Sequence, residues 1–140
     1  TLMELLSPEE LPKLHTVTVV GEVTSPHIIR KWARSVRLIN GYGPTEATIG
    51  ATWGIFDLSC PLCIGRSLAN VSLYVVGKNC RDLVAIGVAG ELFIGGTLAR
   101  GYMNLPQETA SRFVENPFLQ DSERVQLHSE NGDTRLFRTG

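Results

Sequence analysis

The sequence predicts an α/β fold, a parallel strand–helix–strand unit followed by an antiparallel or barrel-like β portion. Three observations carry this. Residues Thr16 to Val20 are β-branched throughout and end at Gly21-Glu22, which reads as a buried strand. Ser25-Pro26 then supplies a helix cap and a proline at the first helical position, and Val36 to Ile39 follows as a second short strand. A strand, a helix and a strand in that order are the connection that joins parallel neighbours. After Ala47 the chain changes character. Val71 to Val76, Gly90 to Ile94 and Arg135 to Arg138 read as strands separated by glycine-rich and charged turns. The approximate division is residues 1–54 and 55–140.

The elements follow from local pattern. Ile28, Ile29, Trp32 and Ala33 share one helical face, while Arg30, Lys31 and Arg34 are expected toward solvent, near the helix C-terminus where the dipole favours cations. Trp32 reads as core packing. A further helix is expected from Pro106 to Phe113, with Glu108 early and Arg112 late, ended by Asn116-Pro117. Gln120 to Asp133 is polar and reads as a solvated loop. No internal repeat or low-complexity tract stands out.

Composition narrows the function classes. In 140 residues, 43% are hydrophobic and 19% charged, as in soluble globular proteins. The net charge of −1 comes without any single-sign run, so neither nucleic acid nor an anionic membrane is an expected partner. No apolar run is long enough to span a bilayer and no secretory signal is visible, so the expected location is cytoplasmic. The chain starts at Thr1 and stops at Arg138-Thr139-Gly140 straight after a strand-like run, so both ends read as cut. Of the three cysteines, Cys60 and Cys63 form a C-P-L-C pair. Zinc would need a second pair at suitable spacing, and Cys80, His15, His27 and His128 are too scattered to supply it.

The most informative stretch is Asn40-Gly41-Tyr42-Gly43-Pro44-Thr45-Glu46. Two glycines let backbone approach a ligand, and Pro44 stiffens the turn. Tyr42 offers a π face to a base, Thr45 a hydroxyl to a phosphate oxygen, and Glu46 a hard oxygen to Mg²⁺. The same composition also suits a plain surface turn. Its place after the second parallel strand favours a site, because open α/β sheets bind ligands beyond the carboxyl ends of their strands.

These residues, within the first of four ordered motifs, support a family resemblance. The run Gly21-Glu22-Val23-Thr24-Ser25-Pro26, then Trp32, then Asn40 to Glu46, resembles adenylation domains of nonribosomal peptide synthetases, members of the adenylate-forming superfamily. Ile64-Gly65-Arg66 with Leu68-Ala69-Asn70, and Gly90 to Gly96 with Ala99-Arg100-Gly101-Tyr102, are similar to further motifs of that family. Phe137-Arg138-Thr139-Gly140 is similar to the start of another, with Phe137 in place of tyrosine. The resemblance covers nearly the whole chain and implies a piece of the large N-terminal region of such an enzyme.

By that resemblance Asn40, Gly41 and Tyr42 contact adenine, with Gly43 in the same loop and Gly21 and Glu22 along the adenine side. Thr45 contacts the α-phosphate, and Glu46 helps hold Mg²⁺. Thr18, Val20, Gly41, Ile49 and Gly50 line the substrate pocket, whose apolar wall suggests a bulky, uncharged side chain. The implied reaction forms an acyl adenylate from ATP and an amino acid or other carboxylic acid. It then loads a phosphopantetheine thiol on a carrier protein, with condensation domains as further partners in the parent. A stand-alone acyl- or aryl-CoA ligase, a carrier-protein ligase and an inactive scaffold are the alternatives.

The match departs from the family at Ser67, where a proline is usual, and at Gly95 to Ala99, one residue shorter than the usual loop. The phosphate loop, the amine-anchoring and ribose-binding aspartates and the catalytic lysine fall outside these residues, so the fragment is expected to be inactive alone.

Overall fold

The computed structural model describes residues 2–56, 63–79, 82–120, 123 and 133–140. Cys60, Cys80, His128 and most of the expected loop from Gln120 to Asp133 lie outside them. The chain divides into two compact units, residues 1–43 with 52–66, and residues 44–51 with 67–140.

In the first unit β1 (Thr16–Val20) pairs in parallel with β2 (Arg37–Tyr42), and α2 (Pro26–Trp32) connects them, as the sequence predicts. Strand β2 also pairs antiparallel with β3 (Thr52–Ile55), in a sheet of order β1-β2-β3-β4 that includes β4 (Arg66–Ser67). The Ser25 side chain accepts from the Ile28 amide at 3.3 Å, and Pro26 occupies the first turn, so α2 starts where its cap dictates. One face of α2 buries Ile28, Ile29 and Trp32 against Val36, Leu38 and Phe56.

Two expectations change here. Strand β1 is not buried: it is the sheet edge, with Val17 and Val19 half-buried against the α2 core and Thr16, Thr18 and Val20 exposed. Only one face of this strand is covered, so β-branching reports pleat fit rather than depth. Lys31 is not fully in solvent. It is half-buried, and its Nζ donates to the carbonyl of Glu4 at 3.2 Å, while Trp32 Nε1 donates to that of Met3 at 3.0 Å. Both carbonyls belong to a short helix absent from the sequence reading, α1 (Leu2–Leu5), whose C-terminal carbonyls lack intrahelical partners.

In the second unit β5 (Ser72–Val76), β6 (Glu91–Gly95), β8 (Arg135–Arg138) and β7 (Phe113–Glu115) form an antiparallel sheet in the order β5-β6-β8-β7. Among the described residues it stays open, so the antiparallel form of the expectation holds and the barrel does not. Val76, Phe93 and Leu136 form its core, with Tyr74, Val114 and Phe118 packed against them. Helix α3 (Pro106–Arg112) stops before Phe113, ahead of the expected Asn116-Pro117 signal. Phe113 is buried and pairs with Phe137, and sheet pairing plus ring packing takes that residue out of the helix.

Candidate nucleotide site

The motif from Asn40 to Glu46 is divided between the two units, and each half has its own geometry. Asn40, Gly41 and Tyr42 are not loop residues, because β2 continues through them. Gly41 lies opposite Val20 on one side and Trp53 on the other. A β-carbon on Gly41 would come within 2.9 Å of Val20 Cγ2, so this buried glycine serves close strand packing. The Asn40 amide nitrogen donates to the carbonyl of Cys63 at 3.0 Å. Tyr42 ends the strand half-buried, and burial pushes its phenol pKa up. Gly21, at the carboxyl end of β1, has φ +89° with open space around it, and Glu22 beside it is exposed.

A cleft of about 500 Å³ runs beside β1, with Thr18, Val20 and Glu22 among its lining residues. Thr18 and Val20 share the exposed face of the strand, two residues apart. Of the expected pocket residues, the first unit therefore brings together Thr18, Val20 and Gly41. Ile49 and Gly50 belong to the second unit.

There, Thr45–Ala47 form a single 3-10 turn, with Thr45 exposed and Glu46 half-buried. The turn is closed by Thr48 at φ 54° and Ile49 at φ 78°. Two successive β-branched residues in the left-handed region are strained, and such strain concentrates at ligand-binding segments. Side-chain and backbone bonds hold the turn. The Tyr102 hydroxyl donates to Glu46 Oε1 at 2.5 Å, the Ala99 amide donates to the Glu46 carbonyl at 2.7 Å, and Thr48 Oγ1 donates to the Thr97 carbonyl at 2.9 Å. The carboxylate beside Tyr102 favours the neutral phenol, and the pKa of this tyrosine is pushed up to about 12. The shortened stretch from Gly95 to Ala99 thus backs the Glu46 turn directly.

Glu46 Oε2 receives no hydrogen bond among the described residues, and no cluster of three His, Cys, Asp or Glu side chains occurs among them. A lone carboxylate suits Mg²⁺ bound together with nucleotide phosphates and water, the usual form of such sites. It does not suit a metal held by protein ligands alone. Cys63 is exposed and free, and the C-P-L-C pairing with Cys60 lies outside the described residues.

Comparison with known families decides what these halves belong to. The family described as AMP-binding enzyme matches residues 1–103. The chain belongs to the AMP-binding enzyme family. Among curated relatives of this AMP-binding chain, bacitracin synthase 3 of Bacillus licheniformis is 37% identical over 141 residues, covering all of this chain. Tyrocidine synthase 2 of Brevibacillus parabrevis is 39% identical over 139 residues, covering 96% of it. The chain spans only 2% and 4% of the lengths of those two synthases.

Solved structures agree with this AMP-binding assignment. A four-domain nonribosomal peptide synthetase bound to AMP and glycine matches with TM-score 0.73 at 35% identity, over 89% of this chain and 9% of that one. The NpsA N-terminal subdomain of Klebsiella oxytoca, in complex with 3-hydroxyanthranilyl-AMSN, matches with TM-score 0.76 at 27% identity, over 99% of this chain and 32% of that one. The residues of the Asn40 to Glu46 motif could be named from the sequence. The residues that hold them could not. Arg135 donates to the carbonyls of Ala99 and Arg100 at 3.2 Å each and pairs with Asp133 at 2.6 Å, and no pattern in the sequence marks that link. For Tyr102, the intact spacing of Ala99-Arg100-Gly101-Tyr102 was the available signal.

Proposed function

We propose that this chain is part of an adenylation domain that activates an amino acid with ATP and passes it to a carrier-protein phosphopantetheine thiol in nonribosomal peptide synthesis. The observation that carries this reading is the Glu46 turn: an exposed hydroxyl and a fixed carboxylate adjacent in one turn, within a motif that starts on β2. The peptide-synthetase relatives and the AMP-bound neighbour support it.

The substrate carboxylate attacks the α-phosphorus of ATP, forming an acyl–phosphate bond as the bond to pyrophosphate breaks. Tyr42 presents a ring face for adenine, with Asn40, Gly41 and Gly43 along the same backbone and Gly21 and Glu22 beside it. The Thr45 hydroxyl donates to an α-phosphate oxygen, where charge builds in the transition state. Glu46 is the residue that would hold Mg²⁺, which when bound would screen the anions that must meet. Thr18, Val20 and Gly41, and separately Ile49 and Gly50, are the residues of this reading that meet the substrate side chain, and their mostly apolar character favours a bulky uncharged one. The carrier thiol then attacks the acyl adenylate and releases AMP, and condensation domains use the thioester. Among the described residues no helix is long and apolar enough to cross a membrane, and the working location of this reading is the cytoplasm.

ATP–pyrophosphate exchange by the complete protein tests the proposal, with Glu46→Ala as the decisive variant. Exchange should fall at least about 100-fold with the variant still folded. Exchange unchanged in Glu46→Ala would remove Glu46 from the chemistry. Residues 1–140 alone should show none.

A further inference from the structure

We propose that Tyr102 is a positioning residue for the Glu46 carboxylate, its hydroxyl fixing one oxygen so that the other is presented to the divalent cation that arrives with nucleotide. The proposal rests on the reading of Glu46 as a metal ligand, and it adds a residue on a different element that decides how well that ligand works.

The geometry is over-determined on the Tyr102 side. Its amide donates to Thr109 Oγ1 at 2.9 Å, and its carbonyl accepts from the Leu105 amide at 3.3 Å. Its ring meets Phe113 edge-on, 5.7 Å between centroids at 68°, and Phe113 packs on Phe137 at 5.3 Å. The Arg135 guanidinium lies over the other partner of that stack, 5.3 Å from the Phe113 centroid, while its nitrogens hold the Ala99 and Arg100 carbonyls. Gly101 has φ +143°, and a β-carbon there would run into the Thr109 side chain, so the segment bearing Tyr102 lies directly on α3. The phenol therefore sits at a fixed point and not on a mobile surface side chain.

The Glu46 side is held less. A glutamate has three rotatable side-chain torsions, and a single monodentate ligand loses affinity when those torsions wander. The backbone of Glu46 is tied through its carbonyl to Ala99, which fixes where the side chain starts. The bond from Tyr102 fixes where it ends. A neutral hydroxyl donor restrains the carboxylate without cancelling its charge, whereas a lysine or arginine in that place would compete with the cation. Hydrogen-bonded partners of ligating carboxylates affect metal affinity about 10–100-fold.

The test is Mn²⁺ binding to the complete protein with a non-hydrolysable ATP analogue, followed by electron paramagnetic resonance, for Tyr102→Phe, Glu46→Gln and the double variant. Tyr102→Phe keeps the ring on Phe113 and should weaken Mn²⁺ about 10-fold, with metal-free analogue affinity unchanged. Glu46→Gln should weaken it at least as much, and adding Tyr102→Phe to it should cost nothing more. If Glu46→Gln leaves Mn²⁺ affinity intact, the metal-ligand reading itself is wrong. If Glu46→Gln weakens Mn²⁺ while Tyr102→Phe does not, or the two effects simply multiply, the ligand reading stands and the positioning role is overturned. Should Tyr102→Phe not fold, Thr109→Ala releases the Tyr102 amide without touching Glu46. A several-fold loss of Mn²⁺ affinity then supports the proposal, and no loss overturns it.

Discussion

Two glycines in the first unit share a backbone conformation and differ in surroundings, which makes a paired substitution unusually informative. Gly21 has φ +89° and open space around a hypothetical β-carbon, while Gly65 has φ +88° and would drive its β-carbon into the Trp53 carbonyl and Gly54 Cα. Gly21→Ala therefore carries only left-handed strain, about 1–2 kcal/mol. The restricted unfolded chain offsets about 0.4–1 kcal/mol of that. The expected net loss is about 1 kcal/mol. Gly65→Ala carries the same strain plus a backbone collision that no rotamer can relieve. Separating residue 65 from Trp53 and Gly54 also strains the bond from Thr52 Oγ1 to the Ile64 carbonyl, 2.6 Å long. Overpacking costs about 1–3 kcal/mol and a lost hydrogen bond about 1 kcal/mol, so Gly65→Ala should lose about 3–5 kcal/mol. Marginal stability of about 5–15 kcal/mol makes that a large fraction of the total. Urea unfolding of each variant measures it, read as a midpoint shift at constant slope. Equal midpoints for Gly65→Ala and Gly21→Ala would refute the close-approach argument and return Gly65 to a purely conformational role.

Three further outcomes are expected. Glu91 is partly buried, which opposes ionisation, but bonds from the Arg138 side chain and the Gly140 amide outweigh that and hold its pKa below the ordinary glutamate range. A lowered pKa stabilises the fold above the unfolded value and stops doing so as pH falls through the folded one. Glu91→Gln should thus be less stable than the parent at neutral pH, and the gap in thermal midpoint should close on acidification; a gap independent of pH would contradict the assignment. Ile49 combines φ 78° with a 77% exposed side chain, so Ile49→Gly should raise stability by about 0.5–1 kcal/mol in urea unfolding, where an unstrained exposed isoleucine would lose. Trp32→Ala removes a fully buried ring and its bond to Met3, and should cost about 3–5 kcal/mol by the same measurement.

What could be read in advance follows the range of the signal. The β1–α2–β2 unit was legible because its cues are local: β-branched runs, a Ser-Pro cap, a 3.6-residue apolar face. Its limits were not, because β2 extends through Asn40 to Tyr42 only by pairing on both sides, with Val19 and Val20 of β1 and with β3. Phe113, the first residue of β7, was read as helix for the same reason, since its state is decided by Phe137, far away in sequence. The site divides along this line too. Thr45 and Glu46 carry their chemistry in their side chains and could be named from the motif. Tyr102 acquires a function only from where its hydroxyl ends, 56 residues away from Glu46 in sequence and 2.5 Å away in space. A motif therefore names the groups that can touch a ligand, while the groups that aim them are recorded only in the packing. That is why Gly95 to Ala99, one residue shorter than the family pattern, becomes informative once its bonds are known. Its backbone meets the Glu46 turn at Thr97 and Ala99, so any change in its length is felt at Glu46.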